Sequence, residues 1–174
     1  MLRILIPKNN INEREYIINI IFNEFLELKY ELETYPGNEY EITLANNNKI
    51  IIEDHFFNKY PEELSYLDLT NIHRKVYYVK NEFITEDDIP VIFGSNKLET
   101  DNNSIRCGID IFASSFFMLT RWEEYLDKTR DKHGRFPGKE SFAFKNNILH
   151  RPVVNEYVEM LWNMLISLNP GLIR

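Results

Sequence analysis

The chain has 174 residues, of which 44% are hydrophobic and 27% charged, and twenty Lys and Arg against twenty-seven Asp and Glu give a net charge of −7. This length and composition predict one globular domain over residues 1–174 and exclude disordered and coiled-coil proteins. The acidic balance argues against a nucleic-acid partner, which requires clustered Lys and Arg. No apolar run approaches the roughly 18 to 20 residues that span a bilayer, so no membrane partner is expected.

The single cysteine and the short apolar run at the N-terminus favour a reducing compartment inside the cell over secretion. Cys107 has no second cysteine with which to pair, which excludes an intramolecular disulfide and any zinc site built from cysteines. The apolar run that follows Met1 is too short for the hydrophobic region of a secretory signal. We therefore expect a cytoplasmic protein.

The N-terminal half predicts a β-α-β-β unit. Residues 2–6 form a short apolar run closed by a proline, which is typical of a buried strand, and an apolar stripe predicts a helix over residues 12–30. Two alternating runs, residues 40–44 and 49–52, flank an Asn triplet that suits a tight turn, so they predict a β-hairpin. Further strands are predicted at residues 76–79, 91–93 and 105–109.

The C-terminal third predicts two helices that pack on each other. Asp110 can cap a helix that runs to about residue 126, and Pro152 suits the first turn of a last helix. Between them we expect a charged loop over residues 127–139 and a small hairpin. The aromatic and aliphatic residues expected at the contact between the helices are Phe116, Phe117, Trp122, Leu161 and Trp162. The predicted fold class is α/β or α+β, with a mixed β-sheet, a β-α-β-β start and two packed C-terminal helices.

Charged and hydrogen-bonding side chains concentrate in residues 121–151. The candidate polar binding or docking cluster comprises Arg121, Glu123, Glu124, Asp131, His133, Arg135, His150 and Arg151. One interpretation is a site for a sugar, phosphate or carboxylate, and the other is a salt-bridged loop that holds the last two helices together. Residues 131–137 are expected to fold back on the preceding helix. Arg121, Glu124, His133 and Arg135 would then converge, with Glu124 receiving Arg135.

A second candidate is the sequence Glu53-Asp54-His55 at the end of a predicted strand. Carboxylate and imidazole groups are zinc and manganese ligands, but a site needs three or more of them to converge. The alternative is a loop whose acids are solvated. Metal-binding His-x-x-x-His, Gly-rich phosphate-binding and Gly-x-Ser-x-Gly motifs are all absent. The sequence therefore predicts no catalytic residue, metal or cofactor.

Three sequence pieces carry a resemblance to a known family. They are Arg-Trp-Glu-Glu-Tyr within residues 110–125, His-Gly-Arg-Phe-Pro at residues 133–137, and Leu-His-Arg-Pro-Val-Val at residues 149–154. Together with residues 50–57 and 89–94, they resemble a domain of unknown function that precedes the catalytic module of bacterial polysaccharide deacetylase family proteins. The resemblance implies a C-terminal deacetylase domain as partner and a glycan as ligand. The deacetylase metal and acid/base motifs are absent, so it also implies that this chain is a non-catalytic accessory domain.

For residues 121–151 we favour docking of a catalytic domain over direct sugar binding. Two alternatives to an accessory domain stay open. The first is a stand-alone hydrolase that uses Glu123 or Glu124 with His133 for acid/base chemistry. The second is a plain protein-interaction domain that dimerises. Its expected surface is formed by Phe56, Phe57 and Tyr60.

Overall fold

A computed structural model describes residues 1–72 and 75–173 of the chain. The strands are β1 (Leu2–Pro7), β2 (Tyr30–Tyr35), β3 (Glu39–Thr43), β4 (Lys49–Glu53), β5 (Tyr77–Asn81), β6 (Ile84–Val91), β7 (Gly94–Thr100) and β8 (Ser104–Ile109). The α-helices are α1 (Ile11–Asn19), α2 (Ile111–Thr120), α3 (Trp122–Leu126), α4 (Phe142–Lys145) and α5 (Val153–Leu168). The predicted mixed α/β class is confirmed.

The main sheet is mixed, with strand order β2-β1-β3-β4-β8-β7, and β5 and β6 form a separate antiparallel ribbon. Strands β1, β2, β4 and β8 run in one direction, and β3 and β7 run in the other. The carboxyl ends of β1, β4 and β8 therefore meet at one edge of the sheet. In open α/β sheets, such an edge is where ligands bind.

One face of this sheet is covered by helices. Burial alternates along β3 and β4, because successive side chains of a strand point to opposite faces. Helix α2 lies between α1 and α5, and the ring of Phe112 packs against Tyr40 of β3 with centroids 4.5 Å apart. The opposite face carries partly exposed ion pairs, among them Arg3 with Glu33. The core thus lies between one sheet face and the helical layer.

The N-terminal unit contains one more strand than predicted. The predicted hairpin is confirmed as β3 and β4. The predicted helix over residues 12–30 is too long: α1 continues as a π-helical segment, Ile20–Phe25, and the chain then enters β2. Strand β2 pairs only with β1 and forms an edge, so both of its faces are at least partly exposed. Its burial alternates only between partly exposed and exposed positions, which is a weaker pattern than that of a half-buried strand.

The middle and C-terminal predictions are confirmed in part. Strands β5 and β8 and helix α5 lie where they were expected, whereas β6 begins earlier than predicted and β7 was missed. The predicted helix to residue 126 breaks at Arg121, which has a φ of 50°. The predicted small hairpin is wrong, because α4 forms there instead. Ser141 starts α4 by accepting a hydrogen bond from the Phe144 amide at 3.2 Å.

The predicted packing of α2 on the last helix is confirmed, but the rings of Phe116 and Trp122 pack elsewhere. Trp122 begins α3 and contacts Phe56, Tyr66 and Phe117. The Phe116 ring packs edge-on against Tyr16, Phe57 and Tyr66, on the side of α2 that faces α1. The predicted dimerisation surface is also wrong. Phe56 and Phe57 are 3% and 0% exposed because both belong to this aromatic core. None of the helices that the structure describes has the length and apolar character needed to cross a membrane.

Candidate functional site

The predicted charged cluster divides into separate local pairs. Arg121 pairs with Glu124, three residues ahead in the chain. Arg135 pairs with Asp131 at 3.0 Å rather than with Glu124. Asp131 also accepts hydrogen bonds from the amides of His133 and Arg135, which closes a compact exposed turn. The predicted convergence of Arg135 with Glu124 is therefore wrong, since a contact within one turn orders fewer residues than a contact between segments.

Glu123 has a structural role in the same segment. Its carboxylate is 9% exposed and accepts from the Phe142 amide at 2.9 and 3.1 Å, which ties α3 to the first turn of α4. Burial raises the pKa of this carboxyl group, and the bond from Phe142 opposes the rise. Glu124 is occupied by Arg121, and His133 lies exposed in another turn. These contacts favour a structural role over the alternative of a hydrolase.

Three of the predicted residues do share a cavity of about 230 Å³ between α2, α4 and the start of α5. The helix cavity is lined by Phe117, Met118, Arg121, Glu123, Ser141, Ala143, Ile148, Leu149 and Arg151. Arg151 is held there by Glu156 at 3.0 Å and by the carbonyl oxygen of Asp88 at 3.1 Å. The structure therefore brings Arg121, Glu123 and Arg151 together, whereas His150 is exposed and does not line this cavity.

A larger polar cleft of about 600 Å³ opens where β1, β4 and β8 end. The strand-end cleft is lined by Asn9, Asn38, Glu39, Glu53, Asp54, His55, Asn58 and Pro61. Its position follows from the parallel directions of the three strands, because the segments after their carboxyl ends meet at one edge. The cleft includes all three residues of the second sequence candidate. The interpretation of that sequence as solvated acids is wrong for Asp54, whose side chain is 0% exposed.

A buried ion pair lies behind the lining of the strand-end cleft, with Asp54 in the lining and Arg14 beneath it. Arg14 of α1, itself 0% exposed, contacts Asp54 with Nη1 and Oδ2 2.5 Å apart. The same guanidinium donates to the Tyr40 hydroxyl at 2.5 Å and to the Asn9 carbonyl at 2.7 Å. Removing one member of such a pair leaves an uncompensated buried charge, which is strongly destabilising. Arg14 and Asp54 therefore fix the position of α1 relative to the end of β4.

Asp110 does not line the cleft, but it holds the backbone of His55, which does. Its Oδ2 accepts from the amides of His55 and Phe56 at 2.8 and 3.1 Å, and its Oδ1 accepts from the Ala113 amide at 3.0 Å. One carboxylate thus caps α2 and anchors the segment after β4. Burial, with the nearby charge of Asp54, raises the pKa of Asp110 to about 7, while the amides of Ala113 and His55 and the charge of Arg14 oppose the rise.

The charges around the cleft are balanced. Glu53 lies 3.0 Å from the His55 ring and 3.1 Å from Lys97, and Arg106 pairs with Glu39. Partial burial opposes the ionisation of Glu53, but His55 and Lys97 outweigh it and lower the pKa of this carboxyl group. Its three carboxylates, those of Glu39, Glu53 and Asp54, are matched by Arg106, Lys97 and Arg14. The strand-end cleft therefore has no large net charge.

Some polar groups of the cleft are engaged within the protein and others face the opening. Asn58 accepts from Asn9 at 3.0 Å and donates to the Asn38 carbonyl, so the amides of Asn9 and Asn58 shape the wall. Within residues 1–72 and 75–173, the side-chain amide group of Asn38 and the Nδ1 atom of the His55 ring make no hydrogen bond. Asn38 is exposed, and His55 is about one-third exposed. These two side chains are the groups that a ligand can reach.

The sequence did not indicate Arg14, Asn38, Asn58 and Asp110 as parts of one site. The signal that pointed there was positional: Asn9, Asp54 and Asp110 each follow a strand that was predicted. Within the part of the chain that the structure describes, no three His, Cys, Asp or Glu side chains are arranged to hold a metal ion. The amides, imidazole and carboxylates that line the cleft can donate and accept hydrogen bonds.

Comparison with known proteins gives one match. A family model, DUF7033, a family of unknown function, matches residues 2–170. No curated protein and no solved structure matches the chain. The family match makes no link to polysaccharide deacetylases. Because the match spans nearly all of the sequence, the chain belongs to DUF7033, a family of unknown function.

Proposed function

We propose that the chain is a non-catalytic accessory domain of a bacterial, polysaccharide deacetylase-like, carbohydrate-modifying protein, and that it binds glycan in the strand-end cleft. The observation that carries this proposal is the composition of the cleft, which combines amides, an imidazole and carboxylates around one opening. A sugar hydroxyl group both donates and accepts hydrogen bonds. A mixed set of donors and acceptors is therefore complementary to a ring of hydroxyl groups.

The charge balance supports a neutral glycan. Glu53 is neutralised by Lys97 and by the cation of Arg106 at 3.5 Å, and Asp54 is neutralised by Arg14. Phosphate or sulfate groups would meet carboxylates at the opening, and an ammonium group would compete with cations that are already paired. A neutral, hydroxyl-rich ligand is neither repelled by the carboxylates nor in competition with the paired cations.

The contacts of the titratable groups support a binding role over a catalytic one. A general acid needs a proton to give, whereas Glu53 has a lowered pKa and stays ionised. Asp110 has a raised pKa, but its side chain is 0% exposed and both of its oxygen atoms accept backbone hydrogen bonds. The carbohydrate context itself is supported by the resemblance of residues 110–154 to the domain that precedes deacetylase modules.

The proposal is tested by applying the full chain to an array of neutral, anionic and cationic oligosaccharides. We expect binding to a neutral oligosaccharide, because the cleft offers unpaired amide and imidazole groups. His55→Ala and Asn38→Ala should each weaken binding about tenfold, which corresponds to the loss of one good hydrogen bond.

Matched controls are His133→Ala and Asn102→Ala, which truncate the same residue types at exposed positions outside the cleft. Both controls should bind as the unmodified chain does. The proposal is contradicted if no oligosaccharide is retained, or if the two cleft variants bind as tightly as the controls.

A further inference from the structure

Positive charge is concentrated on one segment of an otherwise acidic protein. Residues 121–151 contain eight Lys and Arg against five Asp and Glu, a net charge of +3. The rest of the chain contains twelve against twenty-two, a net charge of −10. The acids of this segment are all buried or partly buried, whereas most of its cations are exposed. The surface that the segment presents to solvent is therefore more cationic than its net charge.

The helix cavity lies within this cationic surface and is apolar inside. Phe117, Met118 and Ile148 line it, and the exposed side chain of Leu149, with 62% of its surface accessible, stands at its opening. The polar groups inside are already engaged, since Glu123 accepts from the Phe142 amide and Ser141 donates to a carbonyl. A volume of about 230 Å³ admits one leucine or phenylalanine side chain.

Two arginines flank this apolar interior. Arg151 is held in place by Glu156 and by the ring of Tyr78, whose centroid lies 5.7 Å from the guanidinium carbon. Arg121 is 56% exposed and pairs with Glu124, and a surface pair of this kind contributes little to stability. Both guanidinium groups are paired, so it is the net charge of +3 on the segment around the pocket that makes it complementary to an apolar side chain flanked by carboxylates.

The backbone of Arg121 supports a binding role for its side chain. Arg121 has φ 50° and ψ 39°, the left-handed conformation that Gly or Asn adopts at lower cost. It stands between α2 and α3, where a glycine would end the first helix with less strain. Strained backbone positions tend to occur at functional sites. Glycine is therefore a substitution that removes the Arg121 side chain without straining the backbone.

We infer that the helix cavity is a docking site for an acidic protein segment that inserts one bulky apolar side chain between Arg121 and Arg151. Phe117 also lines the cavity but is only 2% exposed, so the accessible groups are those of Met118 and Leu149. These groups favour such a side chain over the bases of a nucleic acid, which stack on exposed aromatic rings. This surface is separate from the strand-end cleft, so the inference does not depend on glycan binding. It also replaces Arg135 as the centre of docking, because Arg135 is 72% exposed and pairs within its own turn.

The test uses the full chain and a fluorescein-labelled synthetic peptide, Asp-Glu-Asp-Phe-Glu-Asp-Glu, with fluorescence anisotropy as the readout. We expect saturable binding that weakens as salt increases, since the surface charges are screened. A peptide with Ala in place of Phe should bind at least about tenfold more weakly, because it leaves the cavity empty. Equal binding of the two peptides would overturn the inference.

Arg121→Gly separates a binding role from a structural one. The substitution should weaken peptide binding severalfold, because it removes one guanidinium group beside the cavity. It should also raise the melting temperature, because glycine adopts the left-handed conformation at the end of α2 with less strain. Leu149→Asp, at a largely exposed position, should abolish binding without unfolding the protein. Arg135→Ala is the matched control: it removes one cation of the same segment away from the cavity and should leave binding nearly unchanged.

The competing partners are tested with the same variants. Single-stranded oligothymidylate and vesicles that contain phosphatidylglycerol should bind more weakly than the peptide and should not respond to Leu149→Asp. Tighter binding of either probe, with loss in the Leu149→Asp variant, would overturn the assignment to a protein partner. A fall in both melting temperature and binding for Arg121→Gly would show that Arg121 is structural and would also overturn the inference.

Discussion

At the scale of single residues, Asp110 is the group on which most backbone contacts converge. It joins the amide groups after β4 to the first turn of α2, and it does so from a fully buried position. A buried carboxylate is stabilised only by the donors and cations around it. The two oxygen atoms of Asp110 are both engaged, so no isosteric side chain can replace them fully.

We predict that Asp110→Asn lowers the free energy of unfolding by about 1 to 3 kcal/mol at pH 5. Both oxygen atoms of the protonated carboxyl group can still accept from the backbone, whereas the NH2 group of asparagine cannot accept. Urea denaturation of both proteins measures the difference. Asp101→Asn serves as a control, since Asp101 is exposed and its contacts are confined to a surface turn. A control that loses as much stability as Asp110→Asn would contradict the assigned role.

The raised pKa of Asp110 predicts the direction of a pH dependence. An unfolded Asp ionises near about pH 3.9, whereas the folded protein keeps this proton up to about pH 7. Between these values the folded state binds more protons than the unfolded state, so stability falls as pH rises from about 4 to about 7. The Asp110→Asn variant should not show this decrease in stability between about pH 4 and about pH 7. If the variant keeps the same slope over this range, Asp110 is not the group that titrates.

At the scale of elements, the aromatic contacts of α2 hold the helical layer together. Phe116 is 7% exposed, and its ring centroid lies 5.5 Å from that of Phe57 and 6.0 Å from those of Tyr16 and Tyr66. It therefore joins α2 to α1 and to the segment after β4. The same segment contains His55, which lines the strand-end cleft, so packing of Phe57 in the core also fixes the position of this cleft residue.

We predict that Phe116→Ala lowers the free energy of unfolding by about 3 to 5 kcal/mol, since it removes a buried ring and leaves a cavity. Leu119→Ala on the same helix is the control, because Leu119 is 39% exposed. It should change stability by about 0.5 kcal/mol or less. Thermal or chemical denaturation compares the two variants, and similar melting temperatures would contradict the assigned packing.

Elements with regular apolar patterns and clear ends could be predicted from the sequence. The run of β1 is closed by Pro7, and α5 follows Pro152 with a stripe that is buried in the structure. Strand β2 was missed although Glu31 and Glu33 alternate with the partly buried Tyr30 and Leu32. This short run directly follows the predicted helix, and Glu and Leu are also common in helices. Apolar periodicity reports burial, and an edge strand buries little.

The candidate sites were predictable only in part. Glu53, Asp54 and His55 attract attention as neighbours in sequence, but Arg14 lies on a helix far from them in the chain. A single arginine in a helix usually faces solvent. Its burial follows from the position of α1 against the ends of the strands, which sequence pattern does not specify. The predicted convergence of Arg135 with Glu124 was wrong because sequence pattern does not specify which partner a charged side chain takes. Arg135 pairs with Asp131 in its own turn.

At the scale of the whole molecule, the two candidate surfaces lie in different environments. The strand-end cleft has balanced charges, whereas the helix cavity lies in a cationic segment of an acidic chain. Salt screens the attraction between exposed charges but has little effect on neutral hydrogen bonds. The two surfaces should therefore respond differently to ionic strength.

We predict that binding of a neutral oligosaccharide changes less than about twofold between low and physiological salt, whereas binding of the acidic peptide weakens severalfold. Titration of the same protein with each ligand, at two salt concentrations, measures both effects. Addition of one ligand at saturation should leave the affinity for the other unchanged. Competition between the two ligands would show that they share a site and would contradict the separation of the surfaces.

The central claim, that the strand-end cleft binds glycan, is tested most directly by amide NMR spectra of the isotope-labelled chain during titration with a neutral oligosaccharide. We predict saturable shifts for the amides of residues 38–39 and 53–58, because these segments line the opening. Residues around the helix cavity should keep their positions. An absence of shifts at saturating oligosaccharide, or shifts centred on residues 117–123 and 148–151, would contradict the claim.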